Sequence, residues 1–306
     1  MKNACIFYYN LNPDIIHQKD GVYYFKINDD RYYLFPYYRN IDEINSIYKI
    51  TLELRHKNIY VHQIIKNKDN SIITVIDDVM YVLLEVYIKE NEFISIENIA
   101  YLTGNTLIKK QEDILIQKDW ASLWEIKNDY LEYQISQFGV KYKSIADSFS
   151  YYIGIAENAI SYARNTLLEN KDKINLCISH RRINVDNTSL DLYNPLEFII
   201  DYRVRDIAEY IKSCFFNEKK ELLDNIINFF NIIKPNNFEA RMFYARLLYP
   251  TYYFDIFENI IDEKKEEIEL DKIVSKSREY ELFLKDVYIY LSNSYYLPEV
   301  TWLIKS

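Results

Sequence analysis

The chain has 306 residues and a net charge of −9; 49% of the residues are hydrophobic, 16% aromatic and 27% charged. That length and apolar share support a real core in one large domain or two lobes, and the aromatic content excludes a disordered or collagen-like chain. The acidic balance provides no global field to hold nucleic acid or an anionic bilayer, so neither partner is expected.

Single-residue counts exclude more. The four glycines, Gly21, Gly104, Gly139 and Gly154, match neither the G-x-G-x-x-G nor the G-x-x-x-x-G-K-[ST] spacing, so a Rossmann fingerprint and a Walker A loop are ruled out. Cys5, Cys177 and Cys214 are odd in number and far apart, which argues against a disulfide framework. His17, His56, His62 and His180 show no H-x-x-H spacing, so no zinc site is expected. The N-terminus lacks the long apolar core of a signal peptide, and no apolar run reaches 18 residues. A product made in the reducing cytoplasm, without membrane insertion, is the expectation.

In chain order, 22–27 and 31–35 are β-rich runs joined by Asn28-Asp29-Asp30. Ile44, Ile47, Tyr48, Leu52 and Leu54 then recur at roughly helical spacing, with Asp42 and Glu43 at the favourable N-terminal end. Strands are predicted over 60–66, 71–76 and 79–88, giving the order β-β-α-β-β-β. From Lys89 the pattern turns helical. Trp120, Trp124, Leu131, Ile135 and Phe138 form one apolar face. Ile145, Phe149, Tyr152, Ile153, Ala156, Ala159, Ile160, Ala163 and Leu167 hold an i, i+3, i+4 rule for six turns. Two short apolar pieces, 176–178 and 198–200, bracket a polar loop over 179–195. Helices punctuated by Pro235, Pro250 and Pro298 complete the chain. The predicted organisation is an N-lobe of five strands and one helix over 1–88 and a helical C-lobe over 89–306.

A five-stranded lobe followed by helices, with two small strands around a polar loop, resembles the protein-kinase-like layout, an α+β fold. The loop S-H-R-R-I-N-V-D-N (179–187) resembles the H-G-D-x-x-x-x-N catalytic loop of the aminoglycoside phosphotransferase and choline-kinase group. His180 matches its histidine and Asn187 its metal-binding asparagine, while Arg182 stands where the catalytic aspartate belongs. Asp201, ending F-I-I-D, matches the magnesium-binding aspartate, and Asp206 a further aspartate that opens the next helix. Across nearly its full length the chain resembles spore coat kinase-like proteins of the CotS/YutH type. The segments D-S-F-S-Y-Y-I-G-I-A-E-N-A-I (147–160), N-P-L-E-F-I-I-D-Y-R-V-R-D-I-A-E-Y-I-K (194–212), A-R-L-L-Y-P-T-Y-Y-F-D-I-F-E-N-I (245–260) and L-P-E-V-T-W-L (297–303) carry that resemblance. It implies a place in the spore coat, other coat proteins as partners, and ATP with Mg²⁺ as the cofactors of any retained activity.

Phosphotransfer on this fold needs a cover over the phosphates, a strand lysine paired with a helix glutamate, a base, and Mg²⁺ held by Asn and Asp. The N-lobe has only Gly21 for a cover. Phe35 and Pro36 stand at the lysine position, leaving Lys26 on the neighbouring strand as the substitute cation and Glu43 solvated. Arginine accepts no hydrogen bond and stays protonated, so Arg182 cannot act as the base. It is expected instead to tie the loop, with Arg181, to carboxylates such as Asp201 or Asp206. Asp186 is out of register as a replacement base. Asn187 and Asp201 stay open between holding a divalent ion with nucleotide and a structural use, in which Arg203 or Arg205 pairs with Asp201. His180 is assigned to ordering the loop. The Trp120 and Trp124 stripe is assigned to the core, Cys177 to a buried apolar strand, and the charged stretch 262–279 to a solvated face or a partner-docking surface. The 31 tyrosines fit either a base-composition bias or oxidative cross-linking, which needs exposed rings. Together these features favour a spore coat-associated pseudokinase with a structural or assembly role. An active small-molecule kinase and an ATP-binding regulator are the alternatives.

Overall fold

The structure is a computed structural model and describes residues 1–88, 92–108, 114–138 and 141–304; Lys89 and Gly139 lie outside them. The chain divides into two units. One comprises Met1–Ile94, Lys110–Ile116 and Asp186–Ile199, and the other Ser95–Lys109, Gln117–Val185 and Ile200–Ser306.

In the first unit, helix α1 (Lys2–Tyr9) precedes strands β1 (Ile16–Lys19), β2 (Val22–Ile27) and β3 (Asp30–Pro36). Helix α2 (Glu43–His56) and strands β4 (Gln63–Ile65), β5 (Thr74–Ile76) and β6 (Val79–Val86) follow. The sheet is antiparallel in every pairing and runs β1-β2-β3-β6-β4, with β5 also on β6. Residues 1–88 therefore hold six strands and two helices, one of each more than the sequence pattern suggested. Helix α1 has a weak amphipathic signature, and β1 is a four-residue edge strand with little burial, so neither advertises itself.

Two-residue turns set the register. Lys19 pairs with Val22 across Asp20-Gly21, both at positive φ (50° and 79°), as a type I′ turn requires. Asp77-Asp78 does the same between Ile76 and Val79. The runs expected at 60–66 and 71–76 shorten to three residues each and pair with β6 rather than with each other. The reason lies in Asn67, whose side-chain oxygen accepts from the Asp69 and Ser71 N–H groups while its amide donates to Thr74. That side chain folds the link into a local turn instead of a hairpin.

Alternation then assigns the faces. Phe25, Leu34, Tyr81 and Leu83 pack with Cys5 and Tyr9 of α1. On the opposite face His17, Tyr24 and Tyr33 stack ring upon ring across three strands, with Phe35 next to Tyr33. Helix α2 buries Ile44, Ile47, Ile50, Thr51 and Leu54 and leaves Leu52 41% exposed, so Ile50 and Thr51 take the place expected for Tyr48 and Leu52.

The second unit contains α3 (Ile96–Asn105), α4 (Trp120–Phe138), α5 (Lys143–Leu168) and strand β7 (Leu176–His180). A short helix, α6 (Ser189–Leu192), belongs to the first unit. Strand β8 (Phe198–Tyr202) pairs with β7 and carries the chain into α7 (Arg205–Phe216), α8 (Leu222–Ile233), α9 (Asn237–Leu248) and α10 (Thr251–Ile261). The last helices are α11 (Ile268–Ser275), α12 (Ser277–Ser292) and α13 (Thr301–Ile304).

Helix α9 is buried on every side from Phe238 to Leu248, including three charged residues. Burial of a charge without a partner is costly, and each has one. Glu239 accepts from Arg203, Arg241 pairs with Glu169, and Arg246 with Glu209. Of the nine α5 residues read from sequence, Ile145, Phe149, Tyr152, Ala156, Ala159, Ile160 and Ala163 are inside, whereas Ile153 and Leu167 are half-buried and Ile155 and Thr166 are buried in addition. Many tyrosines are core residues, among them Tyr152, Tyr202, Tyr244 and Tyr253, whereas Tyr38 and Tyr296 stand well exposed. Among the described residues no helix is long and apolar enough to cross a membrane.

Candidate functional site

The candidate site is built where β7 and β8 end side by side. His180 closes β7, and its backbone N–H and its Nδ1 both engage one carboxylate, that of Asp206 on the first turn of α7, at 3.0 and 2.6 Å. A carboxylate only accepts, so Nδ1 carries the proton and the loop begins from a fixed anchor.

Asp201, on β8, is fully buried and holds four hydrogen bonds. The Trp120 indole N–H, at the start of α4, donates to Oδ1 at 2.9 Å and to Oδ2 at 3.1 Å. The Tyr202 N–H donates to Oδ1 at 2.7 Å and Arg205 Nη1 to Oδ2 at 3.0 Å. Only three residues separate Asp201 from Arg205, so the first turn of α7 brings the guanidinium directly over the carboxylate. Its other nitrogens donate to the carbonyls of His180 (3.1 Å) and Arg181 (3.3 Å). Burial pushes the Asp201 carboxyl up, opposed by Arg205, Arg246 and the N–H of Trp120 and Tyr202. Burial likewise pulls the Arg205 guanidinium down, and Asp201 opposes that.

Behind this pair lies a second set of buried charges. Arg246 stacks its guanidinium over Trp120 (4.8 Å) and Trp124 (5.5 Å) and donates to Glu209 at 2.5 Å. Glu209 also accepts from Lys212 (2.9 Å) and from the Thr251 hydroxyl (2.9 Å). Burial alone would raise the Glu209 carboxyl, but Lys212 and Arg246 outweigh it and hold it well below the usual carboxylate range. Lys212, sealed at 1% exposure, also reaches the carbonyls of Arg246 and Tyr249, and burial pulls it down to about 8.

The remaining candidates are placed as follows. His180, Arg182 and Asp201 belong to the second unit, Asn187 and Lys26 to the first. Arg182 is 67% exposed and pairs with Asp255 of α10 at 2.9 Å, not with Asp201 or Asp206 as expected. Its backbone leaves β7 toward solvent, while the carboxylates of Asp201 and Asp206 are already taken by Arg205 and His180. Asn187 is half-buried, and its carbonyl accepts from the Ile94 N–H. Lys26 is exposed on β2, opposite Arg31 on β3. Cys177 is fully enclosed, and burial pushes its thiol up, as suits a packing residue.

Glu43 is not solvated. Arg39, between β3 and α2, donates Nε to it at 2.6 Å and sends Nη1 to the carbonyls of Leu196 and Phe198, both at 2.8 Å. The partner of Glu43 is thus an arginine four residues before it, in the loop between β3 and α2. Trp120 was also missed as a site residue. It is core, as its spacing indicates, but its one polar atom serves Asp201 from 81 positions away.

These contacts test whether Asp201 suits a magnesium ion. An Mg²⁺ ligand needs an open oxygen facing a space that holds water and other oxygen ligands. Both Asp201 oxygens are occupied by N–H donors, and a fixed guanidinium stands against one of them. Asp201 does not fit the metal in this arrangement. Among the described residues no group of three or more His, Cys, Asp and Glu side chains could hold a metal ion.

Solved structures similar to this chain include two phosphotransferases and a kinase. An aminoglycoside phosphotransferase from Alicyclobacillus acidocaldarius subsp. acidocaldarius DSM 446 has a TM-score of 0.69 at 11% identity, covering 93% of this chain and 94% of that one. A microcompartment-associated aminopropanol kinase has a TM-score of 0.59 at 12% identity, covering 95% and 97%. A spectinomycin phosphotransferase solved with ADP and spectinomycin gives 0.55 at 11%, covering 100% and 96%. At such identity the likeness establishes the fold, an α+β phosphotransferase-like one, and nothing of the activity. In sequence, the endospore coat-associated protein YutH of Bacillus subtilis (strain 168) is 29% identical over 210 residues, 61% of this chain. The chain spans 61% of the length of that curated relative. Residues 3–287 match the model of one family over almost the whole fold just described, and the chain belongs to that family, the spore coat putative kinase YutH.

Proposed function

We propose that this chain is a spore coat-associated pseudokinase, kept for its surfaces in coat structure or assembly, in which phosphotransfer is lost. The observation that supports this most is the closure of Asp201. A metal-binding carboxylate is useful only when it can reach an ion, and here an internal guanidinium neutralises it. Arg182 adds to this, because it can take no proton from an acceptor hydroxyl. The hairpin of β1 and β2 turns through two residues, one of them Asp20, which gives neither length nor charge to wrap a polyphosphate.

One observation favours the active alternative. Arg182 and Asp255 stand on the wall of a pocket of about 380 Å³, with Tyr130, Glu258 and Asn259 also lining it. Partial burial pushes the Asp255 carboxyl up, against Arg182 and with Glu209 and Glu258. A carboxylate so placed is the residue that would have to serve as a base if a small acceptor bound there.

Phosphate transfer from ATP to a panel of amino-sugar, amino-alcohol and choline acceptors separates the two. The pseudokinase reading expects no transfer above background, with or without Mg²⁺. Transfer that is lost on Asp255→Asn or Asp201→Asn, in protein shown to be folded, overturns it.

A further inference from the structure

On another face of the second unit, α5, α11 and α12 enclose a groove of about 790 Å³, within the range of about 300–1,000 Å³ usual for small-molecule sites. The charged stretch 262–279 contributes one wall of it. We infer that this groove is a binding site for a short neutral oligosaccharide.

The first support is a fixed aromatic platform. Tyr151 keeps 38% of its surface exposed, yet its ring is not free. Its hydroxyl donates to Glu281 at 2.5 Å, Glu281 is held in turn by Arg278 at 2.9 Å, and the ring stands edge-on to the buried Tyr152 at 5.0 Å. Tyr152 is itself pinned through Ser277, at 2.7 Å. The same contact joins α5 to α12, so the ring keeps one orientation at the edge of the groove. Holding it removes an entropy loss that a ligand would otherwise meet on binding.

The second support is the chemistry of the walls. Asp147, Asp271 and Lys143 line the groove with side chains that make no hydrogen bond or ion pair among the described residues. With Arg278 and Glu281 they place three carboxylates and two cations around it, so no strong net field selects an anion or a cation. Val274 is the one aliphatic side chain of the lining, and the rings of Tyr151 and Tyr152 supply the aromatic part of its apolar surface. Hydroxyl groups both donate and accept, and a sugar presents many of them on a ring whose C–H face lies flat on an aromatic ring. Carboxylate acceptors, ammonium and guanidinium donors, and one rigid tyrosine face meet those demands together.

Saturation-transfer NMR on the full chain tests this with four neutral trisaccharides, cellotriose, maltotriose, mannotriose and chitotriose. Transfer to at least one of them is expected, falling at least tenfold in Tyr151→Ala. The Asp147→Ala/Asp271→Ala double variant removes only unpartnered, exposed carboxylates, so it tests the same groove should Tyr151→Ala fail to fold, and a comparable loss is expected. No transfer to any of the four, or transfer unchanged in the folded variants, overturns the inference. Hexalysine or inorganic polyphosphate binding in the groove while all four sugars fail would overturn it equally. None of these outcomes depends on whether the chain transfers phosphate.

Discussion

Arg205 donates to Asp201 across 3.0 Å, and both side chains are buried. A charge pair removed from water stabilises little in net terms, but losing one partner leaves the other stranded. In Arg205→Ala the Asp201 carboxylate keeps only its N–H donors. We expect a loss of about 3–5 kcal/mol in urea unfolding at neutral pH. Asp201→Asn combined with Arg205→Met should recover a good part of it, and a double-mutant cycle reads the coupling.

Arg182 contrasts with this, since its pair with Asp255 is exposed to solvent. Such pairs contribute about 0–1 kcal/mol, so Arg182→Ala should leave the unfolding midpoint almost unchanged. The Arg182→Asp variant returns a carboxylate to the base position, yet it should transfer no phosphate, because Asp201 stays closed. Gain of transfer in that variant would show that the base alone had been missing.

In the first unit, Arg39 ties Glu43 to the carbonyls of Leu196 and Phe198. A guanidinium can serve a carboxylate and two carbonyls from one plane, whereas an ammonium is a point donor. Arg39→Ala is expected to cost about 2–4 kcal/mol by leaving buried acceptors unmet, and Arg39→Lys should restore less than half of that. Hydrogen exchange at α2 reports the same change locally.

Much of this architecture was legible beforehand, and the reasons differ from element to element. The periodicity of α5 and the apolar runs of β7 and β8 come from burial, which leaves a strong local pattern. His180 and Asp206 were each matched to a motif position, but their pairing was not foreseen, because Asp206 was expected to take Arg181 or Arg182. Arg205 was visible only as one of two arginines after Asp201, and a helix start was needed to choose it over Arg203, which turns to Glu239. The Trp120 contact had no sequence signal, because a tryptophan in an apolar stripe looks the same whether or not its N–H has a partner. Arg39 carries no sequence signal as the partner of Glu43, because it sits in the loop between β3 and α2 and no pattern marks which carboxylate a loop arginine meets.

His62 predicts a pH dependence. It is fully buried, donates Nε2–H to the Leu190 carbonyl at 3.0 Å and accepts from the Tyr60 hydroxyl at 3.1 Å. Burial pulls its pKa down to about 4, against about 6.5 in an unfolded chain. The unfolded state therefore binds the extra proton between those values, so stability is full above about pH 6.5 and falls as pH drops toward 4. The loss is about 3 kcal/mol. His62→Gln should flatten the slope between pH 6.5 and 5.

Glu209 adds an acid limb at lower pH. Its carboxyl lies well below the usual range in the folded state, so its contribution is present above the unfolded value of about 4.3 and is lost as pH falls below it. Glu209→Gln should cost about 3 kcal/mol at pH 7, by stranding Lys212 and Arg246, and distinctly less at pH 2.5, where the unfolded chain has already taken up the proton and part of the contribution is lost. Urea unfolding at pH 7 and pH 2.5 reads the difference.

The central claim is that the Asp201 position has exchanged a metal for an arginine, and the thermal midpoint of the unmodified chain tests it most directly. It would be measured with millimolar ATP and Mg²⁺ and again with ATP and excess chelator. A ligand at 100 times its Kd stabilises by about 2.7 kcal/mol, enough to move the midpoint of a chain this size by at least a degree or so. The same midpoint under both conditions is the predicted result. A rise of several degrees that requires Mg²⁺ would contradict the account and return the chain to the metal-dependent phosphotransferases it resembles.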